Sequence, residues 1–336
     1  MNPEPKPASA NGWQPCWLAS ANVLNLALPG RAFYANQEPY GAAEYRRKTD
    51  WLGRQFERLG ADVLAVQEVW DEAALRDAVA ASGLRYAHVL APGAEQGASG
   101  TPCLGLVTRW ELEAWERHAA FDPCDAVQVP ELGLHAGFER PLLQARLRGP
   151  KGQELTLLNC HLKSKRPKFL QDEAGEPLED RDDPATVARA TLRSLLMRAA
   201  ECCAMRRIVS RLTQGRHTPL VLVGDFNDSP HAVTTQIVTA THSVAFDRAA
   251  ADTALFHAWD VQTEAALRRD MAYSHVHQGW PELLDQIWVS EEFDARSRRS
   301  LGDVKRVEVF NDHLHEGRDR SRSDHGFLRA LLRWRT

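Results

Sequence analysis

The feature that most constrains this chain is an apolar run that stops abruptly at a polar cluster. Residues 221–224 are Val, Leu, Val and Gly, and Asp225, Phe226 and Asn227 follow directly. A short apolar run rich in β-branched residues predicts a buried strand. Residues two apart on an extended backbone point the same way, so Asp225 and Asn227 are predicted to face one ligand at the strand's end.

Six segments in all share this design, in which a short, mostly apolar run ends in a polar side chain. They are Ser20–Asn22, Val66–Glu68, Leu158–His161, Gly224–Asn227, Leu284–Ile287 and Ser323–His325. One strand-ending carboxylate alone indicates a turn residue more often than a ligand. Six such ends spread over the whole chain indicate a shared polar site, because sheet scaffolds usually present sites at strand ends. Its carboxylates and histidines suit a phosphate ester and a hard metal ion.

Composition limits the class of protein. The 336 residues are 43% hydrophobic, enough for a sizeable core, and the net charge of −4 provides no global basic field of the kind that marks many nucleic-acid binders. The N-terminus lacks a signal-peptide pattern, and no run of about 18 apolar residues predicts a membrane span. We therefore expect a cytoplasmic protein that does not contact membranes.

Alternating strand and helix patterns predict a single α/β domain over residues 15–336, after a disordered Pro- and Asn-rich tail over residues 1–14. Strands are predicted at 16–24, 62–66, 86–90, 104–108, 142–147, 155–158, 220–224, 283–289 and 326–332. Helices are predicted at 42–59, at 71–82 with Asp71 as N-cap, and at 185–212. Together these elements predict two mixed β-sheets packed face to face with helices outside.

Two motifs, G-D-F-N at 224–227 and S-D-H at 323–325, resemble those of the endonuclease/exonuclease/phosphatase superfamily. Q-E at 67–68 and H-L-K at 161–163 support the resemblance, which extends from residue 22 to residue 325. That group contains DNase I-like nucleases, abasic-site endonucleases, neutral sphingomyelinases and inositol-polyphosphate 5-phosphatases. The resemblance implies a four-layer α/β sandwich and hydrolysis of phosphate esters with Mg²⁺ or Mn²⁺.

The resemblance, together with side-chain chemistry, assigns the expected metal ligands. Glu68 is the best candidate, because Mg²⁺ prefers few carboxylates, and a cap on the following helix is its alternative role. Asn22 would assist through its carbonyl oxygen, and Asp324 would add a second carboxylate. Asp324 and His325 would point to opposite faces of a regular strand, so a loop or bulge is predicted there.

Five residues form the expected catalytic set. His325, oriented by Asp285, and His161 would donate to phosphate oxygens. Asp225 would activate the attacking water or protonate the leaving oxygen, and Asn227 would hold a phosphate oxygen or position Asp225. The expected reaction is in-line attack by water, without a covalent enzyme intermediate.

The chain departs from its relatives at two places. Abasic-site enzymes usually carry a carboxylate where this chain has Leu24, and Asn25 either substitutes for it or caps a turn. DNase I-like relatives pair the histidine at the His161 position with a glutamate just before the strand at 104–108. Residues 99–102 offer none, and Glu139 is the possible substitute.

Basic residues near the motifs predict a polyanionic substrate. The expected substrate-binding residues are Arg140, Lys163, Arg320 and Arg322. A solvent-facing role for Arg140 fits the sequence equally well. The insertion at 163–184 is basic and then acidic, and it predicts either a lid beside the site or a solvated flexible loop.

Two tryptophans, Trp280 and Trp288, flank the strand predicted to carry Asp285. An exposed indole there could stack on a base. Burial of both side chains in the core is the favoured prediction.

Three functions are compatible with the sequence. The leading hypothesis is a metal-dependent nuclease acting on DNA or RNA, and the alternative is a phosphatase or phosphodiesterase for a small molecule or lipid headgroup. Overall acidity favours the alternative, whereas the lack of an interfacial helix disfavours its lipid version. A non-enzymatic binding protein is disfavoured, because the polar set is complete. Protein partners are not predicted.

Overall fold

A computed structural model describes residues 12–34, 36–94, 100–172, 174–244, 247–264, 272–317 and 319–336. The first of its two large sheets contains Trp13–Leu26 (β1), Val63–Val69 (β2), His88–Leu90 (β3), Cys103–Thr108 (β4), Gly302–Phe310 (β15) and Phe327–Arg335 (β16). The second contains Glu111–Ala120 (β5), Gly137–Arg148 (β8), Glu154–His161 (β9), Leu220–Asp225 (β10), Phe256–His257 (β11) and Asp285–Val289 (β14). The strand orders are β15-β16-β1-β2-β4-β3 and β11-β14-β10-β9-β8-β5.

Among the described residues, the two sheets are accompanied by two small hairpins and six α-helices. The hairpins pair Val127–Val129 (β6) with Gly133–His135 (β7), and His275–His277 (β12) with Trp280–Glu282 (β13). The helices are Ala42–Leu59 (α1), Glu72–Ala81 (α2), Pro184–Thr213 (α3), Val233–Thr239 (α4), Thr241–Val244 (α5) and Ala258–Val261 (α6). No helix in the described ranges combines the length and the apolar character that crossing a membrane requires.

The two sheets are mixed, pack face to face and carry helices on their outer faces, which confirms the predicted fold class. The strand period of two explains the layering. On β10, Val221 and Val223 point into the core between the sheets, whereas Leu220 and Leu222 pack beneath α3. The strands therefore bury both faces, which is why they appear as continuous apolar runs in the sequence.

Strand direction brings the predicted site residues to one edge. β1 runs parallel to β2 in the first sheet, and β9 runs parallel to β10 in the second. The register places Asp225 beside His161 on one side and opposite Asp285 on the other. Three of the six polar strand ends are thus adjacent in the second sheet alone.

Three strands of the two large sheets were absent from the prediction, β5, β11 and β15. All three lie at a sheet edge, and most β5 residues are polar or exposed. An edge strand needs little apolar surface, so it leaves no apolar run for sequence analysis to detect. Likewise, β1 already begins at Trp13 and pairs with Arg335, so residues 13 and 14 belong to the sheet and not to a tail. Residues 1–11 lie outside the described residues.

The N-cap residue of α2 is Asp71, as predicted, but its side chain has another role. Asp71 occupies the N-cap position, but its side chain makes no capping hydrogen bond. Its carboxylate instead accepts from the backbone N–H of Leu28 at 2.9 Å and pairs with Arg31 at 2.5 Å. Asp71 therefore fixes the loop after β1, a long-range role that helix periodicity does not reveal.

Candidate active site

The site lies where the two sheets meet, and buried amides join the sheets beneath it. The Gln67 side-chain amide donates to Asn159 Oδ1 at 2.8 Å, and Asn159 Nδ2 donates to the Val66 carbonyl at 3.0 Å. Closer to the surface, Asn22 Nδ2 donates to Asp225 Oδ2 at 3.1 Å. These contacts align the polar ends of β1 and β2 with those of β9 and β10.

Asp225 is the centre of the cluster. Its Oδ1 accepts from the backbone N–H of Asn227 at 2.8 Å, and its Oδ2 accepts from Asn22. The same Oδ2 lies 3.4 Å from His161 Nε2 and 3.8 Å from His325 Nε2. Burial of the carboxyl raises the pKa of Asp225 to about 7. Asp225 can therefore take or release a proton near neutrality.

His325 and Asp285 form a buried pair, with 2.7 Å between Nδ1 and Oδ2. Burial opposes the charged ring, but the carboxylates of Asp285 and Asp225 outweigh it and hold the pKa of His325 well above its usual value. The pair therefore favours the protonated form of His325. Its backbone lies in a single-residue bridge just before β16, after a bend at Asp324, so the predicted break in strand geometry is confirmed.

His161 provides a contrasting, neutral imidazole. Its Nε2 lies 4.0 Å from Glu68 Oε1 as well as close to Asp225, and its buried Nδ1 has no hydrogen-bond partner among the described residues. Burial lowers its pKa well below the usual value, and the Arg140 charge lowers it further. No described contact joins Glu139 to His161, and residue 99 lies outside the described residues.

Glu68 has a strained backbone, with φ of 66°. Non-glycine residues seldom adopt this conformation, and such strain concentrates at functional sites. Its Oε2 accepts from the backbone N–H of Asn25 at 2.9 Å, and its Oε1 lies 3.4 Å from Asn22 Nδ2. Glu68 therefore faces Asn22 and His161 instead of capping α2.

The donor set at Glu68 fits a hard divalent cation. The carboxylates of Glu68 and Asp324 both raise the pKa of the buried Lys48 ammonium, and Glu68 contacts Asn22 directly. Asn22 could add a carbonyl oxygen, which at present accepts from the Leu24 N–H at 3.1 Å. Carboxylate and amide oxygens are the ligands that Mg²⁺ and Mn²⁺ prefer.

A second group of possible ligands is less suited to a metal. The ligating atoms of Asp225, Asp285 and His325 lie within 4.8 Å of one another. His325 Nδ1, however, is already paired with Asp285 Oδ2 at 2.7 Å, so this ring nitrogen and this carboxylate oxygen are engaged with each other. The arrangement is one that can transfer a proton or stabilise charge.

Lys48 was not anticipated from the sequence. It is fully buried on α1, and its Nζ donates to the Arg320 carbonyl at 3.1 Å. Burial lowers its pKa to about 7, while the charges of Glu68 and Asp324 raise it. The amphipathic pattern of α1 gave no sign of it, because a lysine on a helix usually lies in solvent.

A buried network fixes the chain that follows His161. Arg140 Nη1 donates to the carbonyls of His161 and Leu162 at 3.4 and 3.3 Å, and Asn227 Nδ2 donates to the Leu162 carbonyl at 2.9 Å. Asn227 has φ of 52°. These contacts favour the positioning role for Asn227. Arg140 is also committed to backbone carbonyls, with little exposed surface.

Glu201 is a second buried residue beside the site that the sequence did not reveal. It lies on α3, fully buried, and its two oxygens accept from the backbone N–H groups of Glu139 at 3.0 Å and Lys163 at 2.7 Å. Glu201 thus links the segments that carry Arg140 and Lys163. A glutamate within a long helical pattern gave no signal, because only the fold brings both N–H groups to it.

We expect Glu201→Gln to destabilise the protein by about 1–3 kcal/mol, because an amide presents one oxygen to two N–H donors. Burial raises the pKa of Glu201 to about 7, so this group makes wild-type stability fall as pH rises from its ordinary pKa towards 7. The glutamine variant lacks that dependence. The difference in free energy of unfolding between the wild type and Glu201→Gln, measured with urea, should therefore be larger at pH 5 than at pH 8. Glu111→Gln, at an exposed position, is the control. A difference that grows with pH would contradict this assignment.

The basic segment before Asp324 is tied to carboxylates. Arg320 pairs with Glu44 at 2.5 Å and packs 4.7 Å from the ring centre of Tyr40. Arg322 pairs with Glu316. Arg320 therefore ties its segment to α1 and Arg322 pairs within its own segment, which differs from the predicted substrate-binding role of both arginines. Arg318 lies outside the described residues.

The insertion at 163–184 is docked on α3. Arg193, fully buried, donates to both carboxylate oxygens of Glu179 at 2.8 and 2.9 Å and to the Lys168 carbonyl at 3.2 Å. The Ser194 hydroxyl donates to the Arg166 carbonyl at 2.5 Å. Lys163 is also buried, with its Nζ directed at Ser164. These contacts argue against the flexible-loop alternative for this segment.

Comparison with known proteins places this site in a family. A sequence profile of the Endonuclease/Exonuclease/phosphatase family matches residues 19–325. The chain belongs to this family. Its match spans all six polar strand ends, from Asn22 to His325, so the family resemblance inferred from the motifs is confirmed. No curated protein sequence matches the chain.

Solved structures of the family share the fold at low sequence identity. The human Nocturnin catalytic domain, solved with bound sulfate, is 17% identical with a TM-score of 0.56, covering 95% of this chain and 94% of that one. A family member from Bacteroides thetaiotaomicron is 16% identical with a TM-score of 0.58 and 96% coverage of both chains. A mannosyl-6-phosphatase from the same bacterium is 14% identical with a TM-score of 0.55, covering 94% and 99%. Family membership makes the protein a phosphoesterase, and these similarities support the fold alone.

Proposed function

We propose that this protein is a divalent-metal-dependent phosphodiesterase that hydrolyses nucleic acid. The observation that carries the proposal is the placement of Asp225 between a neutral His161 and the cationic His325–Asp285 pair. A carboxyl with a pKa of about 7 beside a fixed positive charge suits proton transfer during hydrolysis of a phosphate ester.

The side chains divide the chemistry between them. Asp225 takes the proton of the attacking water, or returns one to the leaving oxygen. His325, held charged by Asp285, stabilises the negative charge that develops on the phosphoryl oxygens, and His161 adds a neutral donor. Glu68, with Asn22 and Asp324, would hold Mg²⁺ or Mn²⁺, which when bound supplies further positive charge to the phosphoryl group.

The charge around the site favours a diester. Several nearby cations are already paired, with Lys165 contacting Glu282 at 2.5 Å and Arg198 contacting Asp228 at 3.2 Å. A phosphate monoester carries about −1.5 to −2 charges near neutrality, and a diester only one. A site with few unpaired cations therefore suits a diester better than a monoester. Nucleic acid is a polymer of phosphodiesters.

Hydrolysis of four substrates tests the proposal: plasmid DNA, single-stranded RNA, a nucleotide monoester and a choline-phosphate lipid. We expect cleavage of at least one polymer with Mg²⁺ or Mn²⁺. We expect no cleavage in EDTA, because EDTA removes the cation that Glu68, Asn22 and Asp324 would hold. Asp303→Asn, a buried aspartate paired with Arg333, controls for general destabilisation. Turnover of the monoester alone would replace the proposal with a small-molecule phosphatase.

A further inference from the structure

The hairpin of β12 and β13 projects beside the catalytic pair and has a stiff turn. Its two turn residues, Gln278 and Gly279, have φ of 51° and 86°. Two positive φ values mark a type I′ turn, whose twist matches that of the flanking strands. The turn therefore holds both strands in one register, with His277 opposite Trp280 and His275 opposite Glu282.

The base of this hairpin is fixed to both members of the catalytic pair. The Ser274 hydroxyl accepts from the backbone N–H groups of Leu284 and Asp285 at 3.0 and 2.9 Å. The Ser274 carbonyl accepts from the Gly326 N–H at 2.6 Å, next to His325. The hairpin and the catalytic pair thus form one rigid unit.

One face of the hairpin continues the surface that carries His325. His275 forms a backbone bridge with His325, and residues directly opposite in a ladder share a face. His277 lies two residues beyond His275, and Trp280 is its cross-strand partner, so both lie on that same face. The rings step outward, 4.9 Å from His325 to His275 and 6.5 Å from His275 to His277.

Trp280 at the end of this row is 76% exposed, whereas Trp288 is buried at 3%. The prediction that both tryptophans belong to the core is therefore wrong for Trp280. Exposing an indole to water forgoes the hydrophobic stabilisation of burial. Because the exposed indole of Trp280 lies on the same face as His325, we expect it to bind a ligand.

We infer that His277 and Trp280 form a stacking subsite for a planar ring of the substrate, the nucleobase next to the scissile phosphate. The inference rests on the proposed function. Aromatic side chains bind single-stranded nucleic acid by stacking on bases, and a rigid platform loses little conformational entropy when it does so. Two neighbouring rings in line with the reaction centre provide such a platform.

A nucleobase suits this face better than a lipid surface. The turn itself is polar and small, and Trp280 is the one large apolar side chain at the hairpin's tip among the described residues. The adjacent cation, Lys165, is neutralised by Glu282 and so adds no attraction to anionic headgroups. Insertion into a membrane would require more apolar surface or unpaired positive charge.

Binding measured without hydrolysis tests the subsite. Fluorescence anisotropy in EDTA would compare a labelled oligothymidylate with an oligomer of the same length in which every base is absent. We expect the wild type to prefer the oligothymidylate. Trp280→Ala should weaken binding of the oligothymidylate about tenfold and leave the abasic oligomer unaffected. Trp280→Phe should retain most of the affinity, and Trp115→Ala, which removes a tryptophan 49% exposed on β5, should match the wild type.

The outcomes separate this inference from the proposed function. Equal binding of both oligomers by the wild type, or equal weakening of both by Trp280→Ala, would overturn the subsite. A third outcome concerns vesicles of phosphatidylcholine and phosphatidylglycerol. If the wild type sediments with them and Trp280→Ala does not, while both bind oligothymidylate equally, Trp280 belongs to a lipid-binding surface instead. Base-dependent binding through Trp280 in a protein that cleaves no polymer would support the subsite while refuting the nuclease function.

Discussion

Replacing Asp225 with asparagine should lower kcat/KM for phosphodiester hydrolysis by about 10²–10⁴-fold, because an amide cannot exchange the proton. Asparagine has nearly the same shape, and its oxygen can still accept from the Asn227 N–H. The fold should therefore survive, and the loss should appear in kcat and not in KM, because Asp225 acts on the reacting proton. Steady-state kinetics of the two proteins at saturating metal measure the effect.

The pH profile gives this variant its sharpest signature. Burial raises the pKa of Asp225 to about 7, and a base must be unprotonated, so wild-type kcat/KM should rise with pH through about 7. The residual activity of Asp225→Asn should lack this rise. Asp303→Asn, at a buried aspartate on β15 that pairs with Arg333, should retain both rate and profile. If kcat/KM of Asp225→Asn still rises through the same pH range, a group other than Asp225 is responsible for that rise.

Replacing His325 with alanine should cost a similar factor, about 10²–10⁴ in kcat/KM, because a fixed positive charge is lost beside the phosphoryl group. Asp285→Asn should act through His325. Without the Asp285 carboxylate, the pKa of His325 falls, and the alkaline decline in activity should move to lower pH. Profiles of kcat/KM between pH 5 and pH 10 for the wild type and Asp285→Asn measure this shift.

A double variant that combines His325→Ala with Asp285→Asn shows whether the two residues act together or independently. Asp285 contacts His325 Nδ1 at 2.7 Å and exerts its effect through that ring. Once His325 is alanine, removal of the Asp285 charge should therefore add little further loss, so the two effects should be far from additive. Additive losses, or an alkaline limb unmoved in Asp285→Asn, would show that Asp285 acts on the reaction by another route.

The core strands and the polar residues that end them could be predicted from the sequence because their signals are local. β10 is a run of apolar residues followed by Asp225, and strand periodicity alone directs Asp225 and Asn227 towards one side. The break between Asp324 and His325 followed from the same rule, because adjacent residues on a regular strand cannot serve one site. Such statements need only covalent geometry and the hydrophobic pattern.

The roles of the charged residues outside those motifs required the tertiary structure. Arg320 lies close to the S-D-H motif in sequence and was predicted to bind substrate. In the structure its guanidinium is paired with Glu44 on α1, a helix far away in the chain. Glu201 acquires its role only when α3 brings it against the N–H groups of Glu139 and Lys163. A partner far away in sequence decides whether a charge is exposed, paired or buried, and no local pattern encodes that partner.

The same distinction explains Trp280. Trp280 precedes the strand predicted at 283–289, and composition favours burial of an indole. A two-residue turn and a single backbone bridge to His325 instead place it in solvent, in line with the reaction centre. The sequence by itself determined the core strands of the sheets and which polar ends meet, because burial of apolar runs drives both. Only the tertiary structure decided which surrounding side chains face the substrate, because that depends on pairings between residues far apart in the chain.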